Sequence, residues 1–360
     1  MQQYGRNREP PEQQEGRGRH LSLDEIGADF ARREASVARH AAAAGMSRRE
    51  FLEVLAAGAA AAAAASAWPA AARGAEAKTP GTSRVVVVTH PEVVVKEGRL
   101  NPPIVRQMLD RALVELTGKR SEAEAWQAIA RENDFVAIKH NSIGGALLRT
   151  HPEVIEAAGQ QLVTQAKVKA DRVLAVDRTF QPPYDELSEP FTLPSRGLKT
   201  RLRRLYTDHA TAIINMPILK AHFGEGLSAA LKNHLGSVNN PAAFHGWQPE
   251  QMPRSLPELN ALEPLRKKTR LVVIDAIRPL YAGGPADNPE YRWDRKGLIV
   301  SADPVAASAV GLRILEEKRA AARGKEWPMA AARQMMAYAQ SIGLGSADPD
   351  RLDVVQVKLG

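Results

Sequence analysis

The 360-residue chain contains no cysteine. Disulfides, thiolate nucleophiles, cysteine-ligated zinc and cysteine-ligated iron–sulfur clusters are therefore excluded. Aromatic residues are scarce, at 5%. The longest apolar run, Val54–Trp68, is mostly alanine. It is about 15 residues long, short of the ~20 that a membrane-crossing helix needs, and alanine inserts poorly. No internal repeat is found, nor the H-E-x-x-H of zinc helices, nor the G-x-S-x-G of serine hydrolases. What remains, 25% charged and 44% hydrophobic residues, is the composition of a globular protein.

The amino-terminal region reads as address rather than fold. Ser47-Arg48-Arg49-Glu50-Phe51-Leu52 resembles a twin-arginine export signal, the alanine-rich run follows, and Ala75-Glu76-Ala77 places small residues where a signal peptidase cuts. Residues 46–77 are thus expected to be a removable signal that engages the twin-arginine translocase and sends the protein to the periplasm or beyond. Residues 1–45, rich in Gln, Arg, Glu and Ala, read as a disordered extension, and Met46 offers an alternative start. Acidic and basic residues balance over residues 1–77, so the whole net charge of +8 belongs to residues 78–360. Once processed, the chain is not expected to be an integral membrane protein.

Residues 78–360 are expected to form an α/β domain with a mainly parallel, doubly wound sheet. Short β-branched runs at Val85–Val88, Phe135–Ile138, Val173–Val176, Ala212–Ile214, Leu271–Ile274 and Leu298–Val300 suit strands buried on both faces. Helices are expected between them, from Pro102 to Thr117 with a stop at Gly118, from Pro152 to about Ala166, and from Val305 to about Lys318. Gln181–Thr200 and Val238–Pro257, rich in Pro, Ser, Gly and aromatics, read as long loops.

Four places put polar residues at strand ends: Lys139-His140-Asn141, the stretch from Asn215 to Gly236, Asp275 with Gly283-Gly284-Pro285, and Ser301-Ala302-Asp303-Pro304. In open α/β sheets ligands sit at the carboxyl ends of strands, so the four are expected to meet in one cleft. Lys220-x-His222, Leu231-Lys232-Asn233 with Gly236, Asp275 with the Gly-Gly-Pro, and Asp303-Pro304-Val305-Ala306 together resemble the bacterial and archaeal domain of unknown function family 362. The resemblance extends from about Val85 to Leu315. It implies an α/β fold and no established reaction. Some members carry a ferredoxin-like iron–sulfur module, which a chain without cysteine lacks. Ser308 also stands where the family usually has an acidic residue.

In the cleft so expected, Lys220, Lys232, Asp275 and His222 are the candidate catalytic groups. Lys139, Asn141, Asn233, Gly283, Gly284 and Asp303 are candidate ligand-binding residues. The lysines suit an anionic small molecule, His222 a general base or metal ligand, and Asp275 a partner for a lysine or a metal. His222, His234 and His245, with His209 nearby, keep a divalent metal open as an alternative, although their spacings of 12 and 11 match no common zinc pattern. Lys232 and Asn233 are expected on a short helix, Leu227–Leu235, where at least one of them must border the buried face. Asp303 has a plainer role as a helix cap before Pro304. The basic stretch Lys199–Arg204 is read as a solvated rim rather than a nucleic-acid site, given export. The leading expectation is an exported enzyme or cofactor-carrying protein. A non-catalytic solute- or metal-binding protein using the same cleft is the alternative, and an envelope structural protein the third reading.

Overall fold

The computed structural model describes residues 81–95, 98–144, 148–222, 226–244 and 252–360. The signal residues Arg48, Arg49, Ala75 and Ala77, the 1–45 extension and His245 lie outside the described residues. The strands are β1 (Ser83–Thr89), β2 (Val136–His140), β3 (Val173–Val176), β4 (Phe191–Leu193), β5 (Leu198–Thr200), β6 (Ala212–Met216), β7 (Ile218–His222), β8 (Gly226–Ser228), β9 (Thr269–Leu280), β10 (Gly297–Ser301) and β11 (Leu352–Lys358). The helices are α1 (Pro102–Thr117), α2 (Glu122–Ile129), α3 (Pro152–Thr164), α4 (Ala230–Asn233), α5 (Met252–Ala261), α6 (Glu263–Lys268), α7 (Pro304–Arg323) and α8 (Ala330–Ser341).

The central sheet runs β11-β1-β10-β9-β6-β2-β3, with β7 continuing beyond β6 along the far half of β9 and β8 paired to β7. Parallel pairing predominates, as the buried apolar runs predict. Val85 and Val87 enter one core while Val86 and Val88 enter the other, so both faces of the strand are dry. One core takes α1 to α3 through Val105, Met108, Trp126 and Leu162. The opposite core takes α4, α7 and α8 through Leu231, Val305, Val310 and Met335. The result is a three-layer α/β/α domain.

Local signals behave as their chemistry requires. Pro102 and Pro103 open α1, and Gly118, at φ 64, closes it with its backbone N–H donating to Val114 O. The structure differs from the sequence reading in several places, the first two of which matter for the site, and the expected Val238–Pro257 loop already contains the start of α5. β10 is antiparallel to its neighbours β1 and β9, so its carboxyl end lies at the opposite edge of the sheet from those of β2, β3 and β6. The Leu227–Leu235 helix is only α4, flanked by β8 before it and a 3-10 turn, His234–Ser237, after it. Gln181–Thr200 contains the β4–β5 hairpin rather than being loop throughout. Among the described residues no helix is long and apolar enough to cross a membrane.

Candidate functional site

β2, β3 and β6 lie side by side in parallel, with Lys139 in register with Val176 on one side and Asn215 on the other. Their carboxyl ends therefore present Lys139, Asp177 and Asn215 at one edge. The Lys139 ammonium donates to Asp177 Oδ1 at 2.5 Å and to His140 O at 2.6 Å. Asp177 Oδ2 accepts from the Ser142 backbone N–H at 2.8 Å and from the Ser142 hydroxyl. Asn233 fastens α4 to the same edge: its Nδ2 donates to Lys139 O and to Asn215 Oδ1, both at 2.8 Å. Its Oδ1 lies 3.4 Å from Lys139 Nζ. The Asn215 amide in turn donates to Ala230 O at 2.9 Å. Gly236 closes over this network; a Cβ there would stand 2.6 Å from Asp177 Oδ1 and 2.8 Å from Lys139 Nζ, so only glycine lets the turn approach so closely.

Electrostatics follow from this burial. Burial alone would raise the Asp177 carboxyl, but the charge and hydrogen bond of Lys139, with those of Ser142, hold it below the ordinary carboxylate range. Burial pulls the Lys139 ammonium down, against the pull of Asp177. His234 is pushed down to about 3, by burial first and by Lys139 second, so it is a neutral ring. It sits 3.3 Å from Ser237 Oγ and edge-on to Tyr206, a structural role.

Above this layer β7 carries Lys220 and His222 on one side and Leu219 and Ala221, both in the core, on the other. Ser228 on β8 stands directly opposite Lys220. Lys220, His222, Ser228, Lys232 and Asn233, with Asn141, Asp177 and Arg178, line a cavity of about 280 Å³. The Lys220 amine donates to Asn141 Oδ1 at 3.2 Å and to Ile143 O. Burial, with the nearby charge of Lys232, pushes it down to about 8. Lys232 and Asn233 are both buried, as the helix geometry requires of at least one.

Lys220, His222, Lys232, Asn233 and Asn141 are thus brought together with Lys139 beneath them, and four expected members, Asp275, Asp303, Gly283 and Gly284, are placed elsewhere. Asp275 lies mid-strand, because β9 runs on to Leu280 rather than ending there. It is in register with Ile218, whereas Lys220 pairs with Leu280. The carboxylate therefore lies deep in the sheet, where Oδ2 accepts from the backbone N–H of His151 at 2.8 Å and meets its Nδ1 at 2.6 Å. It orients His151 rather than a lysine of the cleft. Asp303 follows the antiparallel β10 and so sits at the far edge, where it caps α7 by accepting from Val305 N and Ala306 N. Neither Gly283 nor Gly284 lines the cavity: a Cβ on Gly283 would stand 3.0 Å from the Tyr291 ring, and one on Gly284 would fall 1.9 Å from Ala221 O, between Lys220 and His222, while the adjoining Pro285 lines the cavity wall. The basic stretch is taken up locally, with Arg203 donating to Asp185 O and Arg204 paired with Glu186.

Asp177, Ser142, Arg178 and Ser228 are the site residues that sequence reasoning missed. For Asp177 the signal was present, an acidic residue immediately after a buried strand. Among the described residues no three His, Asp or Glu side chains are grouped to hold a metal ion.

No curated protein matches the chain. Among solved structures, a protein from Thermotoga maritima aligns at 11% identity with a TM-score of 0.30. The alignment covers 63% of this chain and 60% of that one, too slight a likeness to define a shared fold. Residues 192–313, which carry Lys220, His222, Ser228, Lys232 and Asn233, match the family model of DUF362, Domain of unknown function.

Proposed function

We propose that this protein is exported and binds a small organic anion in the cavity walled by Lys220, Lys232 and Asn233. The observation that carries the reading is the charge arrangement. Lys220, Lys232 and Arg178 face one cavity, and the carboxylate among its lining residues, Asp177, is engaged by Lys139 beneath. Burial first, and the charge of Lys232 second, disfavour the ammonium of Lys220. A bound carboxylate or phosphate between the two lysines reverses their repulsion. His222 lines the same cavity and supplies an imidazole, the kind of group that acid–base turnover uses and simple binding does not need.

Lys232→Met tests the binding reading by titration calorimetry with inorganic phosphate and small carboxylates. It removes the charge and keeps most of the stem packing. Affinity should fall at least tenfold, with stability changed by less than ~1.5 kcal/mol, the range for a tolerated swap of similar volume. A wild-type chain that binds none of these anions refutes the reading. Export rests on Arg48-Arg49 and Ala75-x-Ala77. Replacing both arginines by lysine should leave the precursor in the cytoplasm; normal export of that variant removes the claim.

A further inference from the structure

We propose that the anion this cavity takes is a carboxylic acid with an apolar body, its carboxylate at Lys220 and its hydrocarbon against a wall of Ile143, Leu235, Ala242 and Pro285. The inference rests on the anion-binding reading and adds to it the substrate class.

Three observations lead there. The first is that the lining has two chemistries. Lys220 is 1% exposed and donates to Asn141 Oδ1 and to Ile143 O. Both acceptors are uncharged, and an ammonium has three N–H groups to place. Ile143, Leu235, Ala242 and Pro285 line the same cavity with side chains of hydrocarbon alone. A cavity so divided is matched by a molecule divided in the same way.

The second observation fixes where the two parts meet. The Ile143 carbonyl oxygen accepts from the Lys220 ammonium, while the Ile143 side chain, 41% exposed, lines the cavity. A carboxylate that reaches this ammonium therefore brings its attached carbon beside apolar surface. Among the described residues the other large apolar side chain so exposed is Val95. Hydrocarbon laid on Ile143 takes both surfaces out of water, whereas inorganic phosphate leaves the wall wet.

The third observation is that the wall is built before any ligand arrives. Ala242 lies in a 3-10 turn, Pro241–Phe244, within the long stretch that the sequence presents as loop. Phe244 is fully buried, Arg196 donates to Ala243 O at 3.0 Å, and Asn240 Oδ1 accepts from the Thr200 hydroxyl at 2.7 Å. Leu235 belongs to the turn that Gly236 lets approach Lys139 and Asp177. Little of this wall has to be ordered on binding, so apolar contact carries over into affinity. At about 280 Å³ the cavity lies just below the ~300–1,000 Å³ of drug-sized sites, which suits a small acid rather than a nucleotide or a lipid chain.

The test is titration calorimetry of the full chain near pH 7 with acetate, butyrate, hydrocinnamate and inorganic phosphate, the weaker ligands being read by displacement of hydrocinnamate. From acetate to butyrate affinity should rise about fourfold for each methylene buried. Hydrocinnamate should bind at least thirtyfold more tightly than acetate or phosphate. The alcohol 3-phenylpropanol, which keeps the body and lacks the charge, should bind at least tenfold more weakly than hydrocinnamate. Ile143→Ser retains the backbone carbonyl that meets Lys220 and, at an exposed position, leaves the fold intact. It should weaken hydrocinnamate about tenfold and leave acetate unchanged. Equal loss for both acids, or for neither, overturns the placement. If acetate and phosphate bind as tightly as hydrocinnamate, the substrate class is wrong and the anion site stands. If none of the anions binds, or the alcohol binds as well as the acid, both readings fall.

Discussion

Lys139 Nζ and Asp177 Oδ1 stand 2.5 Å apart at the ends of two adjacent parallel strands, with side chains 0% and 5% exposed. The pair neutralises one lysine of this edge within the fold, beneath the cavity that Lys220 and Lys232 line. Asp177→Asn leaves a buried ammonium without its counter-charge. Loss of about 3–5 kcal/mol is expected from chemical denaturation, the range for breaking a buried pair by removing one partner. The wild-type pair is also acid-sensitive in a defined sense. A carboxyl lowered in the fold stabilises it above the unfolded carboxylate value, and that contribution disappears as pH falls through the lowered one. Asp177→Asn should flatten this acid limb; an unchanged limb would assign it to other carboxylates.

His151 and Asp275 give the opposite slope. Burial alone would lower the His151 imidazole, but the charge and hydrogen bond of Asp275 hold it above its ordinary 6.5. A base raised in the fold stabilises it fully below 6.5 and loses that contribution as pH rises through the higher folded value. Wild-type stability should therefore fall across this alkaline-going window. His151→Gln should lose the slope while leaving the affinity for anions in the Lys220 cavity unchanged. Denaturant midpoints measured at several pH values check both.

Gly284→Ala places a methyl group 1.9 Å from Ala221 O, so β7 must shift. Destabilisation of about 1–3 kcal/mol is expected for such overpacking. Binding should weaken as well, because the displaced backbone lies between Lys220 and His222. A fully stable Gly284→Ala chain with intact binding would show that this turn does not position the strand.

Asp303→Ala removes a cap that also accepts from Ser83 Oγ at 2.6 Å and Ser346 N at 2.9 Å. The expected loss is about 2 kcal/mol, the upper end for a helix cap. Ligand affinity should not change, because Asp303 occupies the edge of the sheet away from the cavity. A change in affinity at equal fold stability would contradict that separation.

The sequence shows much of this architecture because the strands are buried on both faces. Val85–Val88, Leu271–Ile274 and Leu298–Val300 are unbroken apolar runs, buried throughout, and a run locates a strand, whereas Val173–Val176 is the half-exposed edge strand β3. A run carries no direction, however, and the antiparallel course of β10 is what removes Asp303 from the cleft. Asp275 was misplaced for a related reason. A carboxylate after four apolar residues looks like a strand end, yet Ala276, Ile277 and Leu280 carry β9 onward beside β7. β7 itself was hidden by Pro217, which separates it from β6 and reads as a loop signal. The Lys220, His222, Lys232 and Asn233 cluster survived these errors. Its members lie close in sequence, and Ser228 across the β7–β8 pair places α4 directly beside β7.

The parallel pairing of β1 with β11 has a consequence for the order in which the chain can be completed. It joins Ser83 to Leu352 and Thr89 to Lys358, contacts with a sequence separation that spans nearly all the described residues. Such distant pairings carry a large loop-closure entropy and are slow to form. Until residues 352–358 have left the ribosome, the seven-residue, valine-rich β1 keeps one row of backbone groups open, a template for pairing with another molecule. Synthesis therefore passes through a stage when valine-rich β1 is the edge strand, before β11 takes that place. A chain cut before Leu352 should self-associate through that row in size-exclusion chromatography, with Lys220 and its cavity, several strands away, still in place.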